Sequence, residues 1–288
     1  MGKTIELKRM PTAWQVLAKA GTTFFKKGKG NLPDTTISTK QCSIDPTNLK
    51  AYNEICHFKD AKFVPATYPY IYSFPLQMQL MSERDFPYPL PGLVHLANSI
   101  KQKRALQHDE KFDIYCHFGD KIYHDKGQAF EIKTGIIIKN EIIWSCTSIY
   151  LFRGKSDSGN AIAWEEPLPI ENGRKQSWSL ASTLGLQYAM INKDINPIHI
   201  MPLSAKLFGM KRHIIHGMWC LGRVLAAESE RANLDTVTID VHFKTPVFLP
   251  SAIIYRREND PNRLQKINFD IVDSKEDKPH ARGSILIG

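Results

Sequence analysis

Residues 188–228 contain both acidic and imidazole side chains close together in the sequence. They run YAMINKDINPIHIMPLSAKLFGMKRHIIHGMWCLGRVLAAE. In this stretch a short segment containing a proline separates Asp194 from His199. When an imidazole and a carboxylate meet, they can position a water molecule and exchange a proton with it, which typically contributes about 10²–10⁴-fold to a rate. The pattern predicts such an acid–base pair. The alternative is that Asp194 only caps a helix and His199 only packs.

The segment between these two side chains has the signature of a helix start. Asn196 is a favoured N-cap because its side-chain oxygen accepts hydrogen bonds from the free amides of a first turn. Pro197 suits the first helical position, where no donor is needed. We therefore expect Asn196 and Pro197 to be structural, His199 to lie in the first turn, and Asp194 to lie in the loop that enters it.

A second helix start follows at His216 and Gly217. Residues 218–227 are apolar on almost every side, which is typical of a fully buried helix. Because Gly217 has no side chain, its free N–H, supported by the helix dipole, could face a ligand oxygen. Such a donor is worth about 3–4 kcal/mol to a developing oxyanion. The alternative is that Gly217 only permits close packing.

Together these motifs resemble the MaoC-like, (R)-specific enoyl-CoA hydratase (type-2 hydratase) family. The family pattern runs from a tyrosine to a small residue followed by Gly-Asp-x-Asn-Pro-x-His, then Ala-x-x-x-Gly, and closes with two hydrophobic residues and His-Gly. One difference is that Asn192 and Lys193 stand where the family usually has the small residue and the glycine. The positions that match are Tyr188, Asp194, Asn196, Pro197, His199, Ala205, Gly209, Ile214, Ile215, His216 and Gly217.

The resemblance implies a role for each chemical group. Asp194 and His199 would hold and activate the water, and the Gly217 amide would bind the thioester oxygen. His216 is expected to be structural or to contact the substrate. The implied activity is (R)-specific hydration of trans-2-enoyl thioesters, or the reverse dehydration of 3-hydroxyacyl thioesters. Two alternatives remain open: an acyl-CoA thioesterase of the same fold, and a catalytically degenerate acyl-CoA-binding or scaffold protein.

The implied fold class is α+β, a double hotdog in which two curved antiparallel sheets each wrap a central helix. The sequence divides accordingly into an N-terminal helical and basic extension, a first hotdog without the catalytic motif, a polar linker, and a catalytic second hotdog. Their predicted ranges are 1–34, 35–153, 154–173 and 174–288. Because two hotdogs side by side cover each other's open sheet edge, we expect a monomeric double hotdog or a homodimer of it.

Hydrophobic periodicity and capping signals predict the elements. In the first half they indicate a helix in 11–25, a strand from Thr35, a helix from Asp45-Pro46, an irregular passage over 65–92 with a helical piece at 76–81, strands at 93–104, 111–123, 128–139 and 141–152, and a hairpin turn at 139–141. In the second half they indicate a strand from Ser177, a helix capped by Ser182 or Thr183 that reaches Met190, and alternating strands that include 237–244 and 266–271.

The formal net charge of +9 favours an anionic partner. Coenzyme A and acidic acyl carrier proteins both qualify, whereas the chain lacks the aromatic and basic signatures of RNA-binding modules, so nucleic acid is not expected. Lys206, Lys211 and Arg212 are candidates for phosphate contacts, with a solvated surface as the alternative. Coenzyme A or phosphopantetheine would enter as part of the substrate, and no further cofactor is expected.

The five cysteines form no C-x-x-C pair, which favours a reducing compartment. No run approaches eighteen apolar residues, and the N-terminus lacks a signal-peptide core, so we expect a cytoplasmic protein without a membrane span. No metal is expected, because His199, His213 and His216 lack a metal-binding spacing. The helix predicted in 11–25 precedes a basic segment; it could be a membrane-surface anchor, or a strap across the domain with a solvated basic end.

Overall fold

The computed structural model describes residues 2–26, 28, 30–59, 63–155, 167, 169–171 and 173–288. The first half contains β1 (Lys3–Leu7), α1 (Ala13–Thr22), β2 (Thr35–Cys42), α2 (Pro46–Cys56), α3 (Tyr68–Ser82), β3 (Leu93–Gln102), β4 (Phe112–His124), β5 (Gly127–Ile138) and β6 (Glu141–Arg153). The second half contains β7 (Arg174–Leu180), α4 (Leu184–Asn192), a 3₁₀ turn (Pro197–His199), α5 (Pro202–Leu207), α6 (Gly217–Ser229), β8 (Val237–Phe243), β9 (Ser251–Asp260), β10 (Arg263–Asp273) and β11 (Pro279–Ile287).

The fold is the predicted α+β double hotdog. Its strands form one continuous sheet in the order β1-β2-β4-β5-β6-β3-β8-β11-β10-β9-β7. The two hotdog sheets join where β3 pairs antiparallel with β8, from Ala97 opposite His242 to Gln102 opposite Val237. Each half therefore covers the edge that the other would leave open. Helices α3 and α6 are the two central helices, buried along most of their lengths.

Most elements begin and end close to where periodicity and capping place them. The four predicted strands of the first half correspond to β3, β4, β5 and β6. The turn between β5 and β6 has left-handed backbone at Lys139 (φ 49°) and Asn140 (φ 64°), as a two-residue hairpin requires. Asp45 caps α2 by accepting a hydrogen bond from Thr47 N. The domain boundaries proposed from the sequence stay predictions, and residues 156–166 of the predicted linker lie outside the described residues.

The largest correction concerns residues 65–92. The sequence predicts an irregular passage with a short helical piece, but α3 runs from Tyr68 to Ser82 and is the central helix of the first hotdog. Pro69 lies in its first turn, where a missing N–H costs nothing. Pro75 lies inside the helix, where proline costs about 3 kcal/mol. Burial of the surrounding aromatic and aliphatic side chains against the sheet outweighs that local cost.

No helix among the described residues is long and apolar enough to cross a membrane.

Candidate active site

Three successive side-chain-to-backbone hydrogen bonds shape the loop after α4. Asn192 Oδ1 accepts from Asp194 N (2.8 Å), Asp194 Oδ1 accepts from Asn196 N (3.2 Å), and Asn196 Oδ1 accepts from Ile198 N (3.3 Å). Short polar side chains favour such local turns over continued helix. The predicted helix start at Asn196 and Pro197 is therefore present, as a single 3₁₀ turn rather than an α-helix.

The difference from the family pattern at residues 192 and 193 has a structural explanation. Lys193 ends α4 with a left-handed backbone (φ 63°), the conformation that favours glycine. Asn192 is buried, and its side chain holds the Asp194 amide. The loop thus reaches a glycine-type geometry with a lysine, and Asn192 adds a hydrogen bond that a small apolar residue could not make.

Asp194 and His199 face each other as predicted. His199 Nε2 lies 3.9 Å from Asp194 Oδ2. His199 Nδ1 is 2.8 Å from the Ile214 carbonyl, so Nδ1 carries the hydrogen in the neutral ring and Nε2 presents a lone pair. The gap is too long for a direct hydrogen bond and gives two acceptors to which one water molecule can donate. The Asp194 side chain is 22% exposed, so the carboxylate remains reachable.

His216 lies closer to the carboxylate than His199 does. Its Nε2 is 3.5 Å from Asp194 Oδ2 and donates to the Asp194 carbonyl at 3.2 Å, which assigns the hydrogen to Nε2. The rings of His199 and His216 stack with centroids 3.5 Å apart and planes 22° apart. His216 thus fixes the orientation of His199 and ties the Asp194 loop to the start of α6. The sequence assigned His216 only a structural or substrate-binding role.

Burial controls the protonation of Asp194, His199 and His216. It raises the pKa of Asp194 above its ordinary 3.8, against the opposing effects of His199 and the Asn196 amide. Burial also lowers the pKa of His199 below 6.5, although Asp194 partly opposes this change. The pKa of His216 is lowered well below 6.5 by burial and then by His199. The sequence left open whether the helix start, which disfavours a protonated His199, or Asp194, which favours it, prevails. Burial lowers the pKa of both rings, so both are mainly neutral near pH 7.

Gly217 begins α6, and a Cβ at this position would lie 2.7 Å from the ring of Phe243. Close packing therefore accounts for the glycine on the side where a side chain would project, because that space is filled by Phe243. Among the described residues no acceptor pairs with the Gly217 N–H. Unpaired first-turn amides at the start of a buried helix suit a ligand oxygen.

The first half supports the site through α2. Asn48 Nδ2 donates to the Ile191 carbonyl (3.1 Å) at the end of α4, and Tyr68 OH donates to Asn48 Oδ1 (2.8 Å). On the other side of the site, Trp219 Nε1 of α6 donates to the Ile55 carbonyl (3.0 Å). The end of α4, just before the Asp194 loop, and the first turn of α6 are thus each tied to the first hotdog by a hydrogen bond.

A buried polar cluster of the first half also reaches the site. Tyr70 OH lies 3.1 Å from Tyr150 OH, and His95 stacks on both rings. Burial raises the pKa of both phenols, and the Asp194 carboxylate contributes to each shift. Burial lowers the pKa of His95 to about 3, so this ring is neutral. The ring of Phe243 lies 5.1 Å from His95 and links the cluster to Gly217.

The sequence missed this cluster. Tyr70 and Tyr150 belong to different elements, and their meeting depends on the packing of α3 against the sheet. The one available signal was that Val-His occurs in one strand of each half, as Val94-His95 and Val241-His242. Those strands are β3 and β8, which pair at the joint between the sheets.

The remaining predicted residues lie around this centre. Tyr188 is buried, with its ring centroid 5.1 Å from that of His216. Lys206 and Lys211 are exposed on the segment between the 3₁₀ turn and α6. Arg212 is exposed too, but it is held by the Pro250 carbonyl and the Phe248 ring. Their predicted phosphate contacts stay predictions.

Among the described residues, Asp194, His199 and His216 could together hold a metal ion, because their ligand atoms lie within 4.8 Å of one another. His216 Nε2 already donates to the Asp194 carbonyl, so it presents a hydrogen rather than a lone pair toward the carboxylate. Binding a metal would require His216 to change its tautomer. The arrangement as it stands suits proton transfer and water positioning.

The sequence is similar to that of a known protein family and of a known enzyme. The MaoC like domain family matches residues 167–272. The 3-hydroxyacyl-thioester dehydratase X of Mycobacterium tuberculosis is 30% identical over 236 residues, which make up 80% of this chain and 82% of that protein.

Solved structures are similar as well. The crystal structure of HtdX from Mycobacterium tuberculosis has a TM-score of 0.75 at 25% identity, over 88% of this chain and 100% of that one. A MaoC-like dehydratase from Phytophthora capsici has a TM-score of 0.75 at 18% identity, over 89% and 95% of the two chains, and supports the fold alone.

Proposed function

The chain belongs to the MaoC-like dehydratase family, and from this premise we propose that it is a hydro-lyase acting on acyl thioesters. The reaction is the dehydration of an (R)-3-hydroxyacyl thioester, or its reverse, the hydration of a trans-2-enoyl thioester. The observation that carries the proposal is the pair of acceptors at the site, Asp194 Oδ2 and the lone pair of His199 Nε2, separated by 3.9 Å. A carboxylate and a neutral imidazole so placed are suited to hold one water and move its proton.

In the hydration direction, a water molecule donates hydrogen bonds to Asp194 Oδ2 and His199 Nε2. Its oxygen forms a bond to C3 of the enoyl group while one of its protons passes to the acid–base pair. The electrons of the C2–C3 double bond move toward the thioester carbonyl, whose oxygen accepts a hydrogen bond from the Gly217 N–H. The proton is then delivered to C2. Dehydration follows the same steps in reverse, so neither direction needs an oxidant or a reductant.

Each residue has a separate part in this mechanism. Asp194 and His199 touch the reacting water, and Gly217 stabilises the enolate oxygen, an effect worth about 3–4 kcal/mol for one donor. His216 positions the other two groups by stacking on His199 and donating to the Asp194 carbonyl. Asn196 holds the loop through its side chain.

The carrier of the acyl group is coenzyme A or the phosphopantetheine of an acyl carrier protein. Both present phosphate to the protein surface, and Lys206, Lys211 and Arg212 are proposed to meet it. They lie on the segment that joins the 3₁₀ turn to α6, and all three are exposed. The first hotdog is proposed to shape the path of the acyl chain, with the Tyr70, Tyr150 and His95 cluster beside the reacting carbons.

The activity is tested with crotonyl-CoA and a longer trans-2-enoyl-CoA. The proposal predicts loss of the conjugated enoyl absorbance without release of free thiol, and chiral chromatography should identify the (R)-3-hydroxyacyl product. Release of thiol would instead identify a thioesterase, and saturable binding without turnover a degenerate acyl-CoA-binding protein. An (S)-product would overturn the stereochemical assignment alone.

A further inference from the structure

Helix α1 leaves an apolar face uncovered. Four bulky side chains of this helix and of the turn that follows it are exposed: Trp14 by 75%, Leu17 by 39%, Phe24 by 56% and Phe25 by 91%. Trp14 and Leu17 lie three residues apart and so share one face of α1, and Phe24 and Phe25 follow in the turn after it. Exposed aromatic rings grouped in this way are costly in water and mark interaction surfaces.

The opposite face of α1 fixes the helix to the first hotdog. Val16 is buried, and Lys19 Nζ donates to Gln79 Oε1 (2.8 Å) on α3. Thr23 is fully buried, and its hydroxyl accepts from Leu90 N (2.9 Å). Lys26 Nζ donates to the Glu83 carbonyl (2.8 Å) just beyond α3. The predicted strap is therefore present, and these attachments hold the apolar side chains facing outward.

The chain segment that carries this face is basic. Residues 7–33 contain no aspartate or glutamate. Lys8 and Arg9, just before α1, are exposed. The basic residues of this range are Lys8, Arg9, Lys19, Lys26, Lys27 and Lys29. The segment that contains α1 thus carries six basic residues and no acidic one, against a formal net charge of +9 for the whole chain.

We propose that α1 docks this protein on an anionic membrane surface. The helix would lie in the interface with Trp14, Leu17 and Phe25 among the acyl chains, while Lys8 and Arg9 meet lipid phosphates. Trp and Phe suit this position because they present large apolar surfaces on short side chains. A second copy of the chain is a poor occupant, since two such faces would bring like charges together.

The docking face is separate from the active site. Helix α1 is attached near the end of α3, at Gln79 and Glu83, whereas Tyr70, which senses the Asp194 charge, lies near its beginning. A protein docked through α1 keeps its acid–base group intact. The proposal therefore does not depend on which thioester the enzyme uses.

Co-sedimentation of the full chain with phosphatidylcholine vesicles, with and without phosphatidylglycerol, tests the proposal. Binding should require the anionic lipid and weaken as salt is added. Phe25→Ser should reduce vesicle affinity about tenfold, and Lys8→Gln or Arg9→Gln about fivefold each. Leu264→Ser is the matched control, because Leu264 is 83% exposed on β10 of the other hotdog.

Two results would overturn the proposal: no binding of the wild-type chain to anionic vesicles, or equal losses in Phe25→Ser and Leu264→Ser. Circular dichroism and turnover of a short enoyl-CoA check that each variant is folded. Because turnover is measured on a water-soluble substrate, failure of membrane docking and failure of the proposed activity give distinct results.

Discussion

The two imidazoles beside Asp194 have opposite tautomers, assigned by their carbonyl partners. His199 donates from Nδ1 to Ile214 O and keeps Nε2 free, whereas His216 donates from Nε2 to Asp194 O. Of the two Nε2 atoms that face the Asp194 carboxylate, only that of His199 therefore presents a lone pair. In the proposed mechanism this division makes His199 the proton acceptor and His216 the group that positions it.

The variant Asp194→Asn should lower turnover and raise the stability of the fold. The amide keeps the oxygen that accepts from Asn196 N but loses the charge, so turnover should fall by about 10²–10⁴-fold. Because burial raises the folded-state pKa of Asp194, its carboxylate costs stability at neutral pH. The variant should therefore have a higher Tm than the wild type in thermal unfolding at pH 7. A lower Tm together with full turnover would contradict the assignment.

The pH profile of kcat should have an acid limb caused by Asp194. Because its pKa is raised above 3.8, Asp194 becomes protonated at a higher pH than an ordinary aspartate does. His199 has a lowered pKa and stays neutral through 6.5. Turnover measured from pH 4 to 8 should therefore be level around pH 6.5 and decline only toward the acid end of the range. A decline centred at or above 6.5 would indicate that protonation of a histidine limits the reaction.

Lys193→Gly tests the left-handed position in the loop. Glycine takes φ 63° without the steric cost that a lysine bears, which is about 1 kcal/mol. The variant should unfold at an equal or slightly higher denaturant midpoint and should keep its turnover, because Asn192 still holds the Asp194 amide. Loss of activity in Lys193→Gly, with Lys139→Gly unaffected at the matched left-handed position of the β5–β6 turn (φ 49°), would give Lys193 a direct role.

At the residue scale, the sequence predicted the Asp194–His199 pair because local rules suffice. Capping by Asn196 and the fixed φ of Pro197 define a turn short enough to bring the two together. The stack of His199 on His216 and the approach of Tyr70 could not be predicted, because they depend on how distant segments pack. Local signals carry no information about such contacts.

At the scale of elements, the start of α6 depends on the close approach of the Phe243 ring to Gly217. The ring of Phe243 from β8 occupies the space beside Gly217, where a side chain would otherwise lie. Strand β8 also forms the joint with β3, so the same strand positions the first turn of α6 and links the two sheets. A change at Gly217 should therefore disturb both the helix start and the sheet joint.

Gly217→Ala should be destabilising by about 1–3 kcal/mol, because the added methyl group would lie 2.7 Å from the Phe243 ring. Phe243→Ala in the same chain should restore part of the loss by making room, although alone it leaves a cavity. Urea unfolding of the wild type, both single variants and the double variant measures this coupling. Additive losses would show that the two residues do not compete for the same space.

Helix α3 illustrates where the sequence prediction of elements fails. Its Pro and Tyr content lowers the local preference for helix, and Pro75 alone argues against a continuous one. The helix forms because the curved sheet of the first half wraps around it and buries most of the apolar side chains of 68–82. Helix α6, whose sequence lacks proline, was predicted from its apolar composition.

At the scale of the whole molecule, the two hotdogs have divided roles. The second supplies the acid–base pair and the free amide, and the first supplies Asn48, Ile55 and the Tyr70 cluster that support them. The double hotdog was expected from the family resemblance of the motif in the second half. It could not predict that hydrogen bonds from α2 hold the catalytic loop.

The central claim is that Asp194 and His199 act on one water molecule, and a double-mutant cycle tests it most directly. Turnover of crotonyl-CoA is measured for the wild type, Asp194→Asn, His199→Gln and the double variant. Groups that act as a unit are strongly non-additive, so the double variant should lose about as much activity as either single variant. Losses that multiply, or full rates in either single variant, would contradict the account.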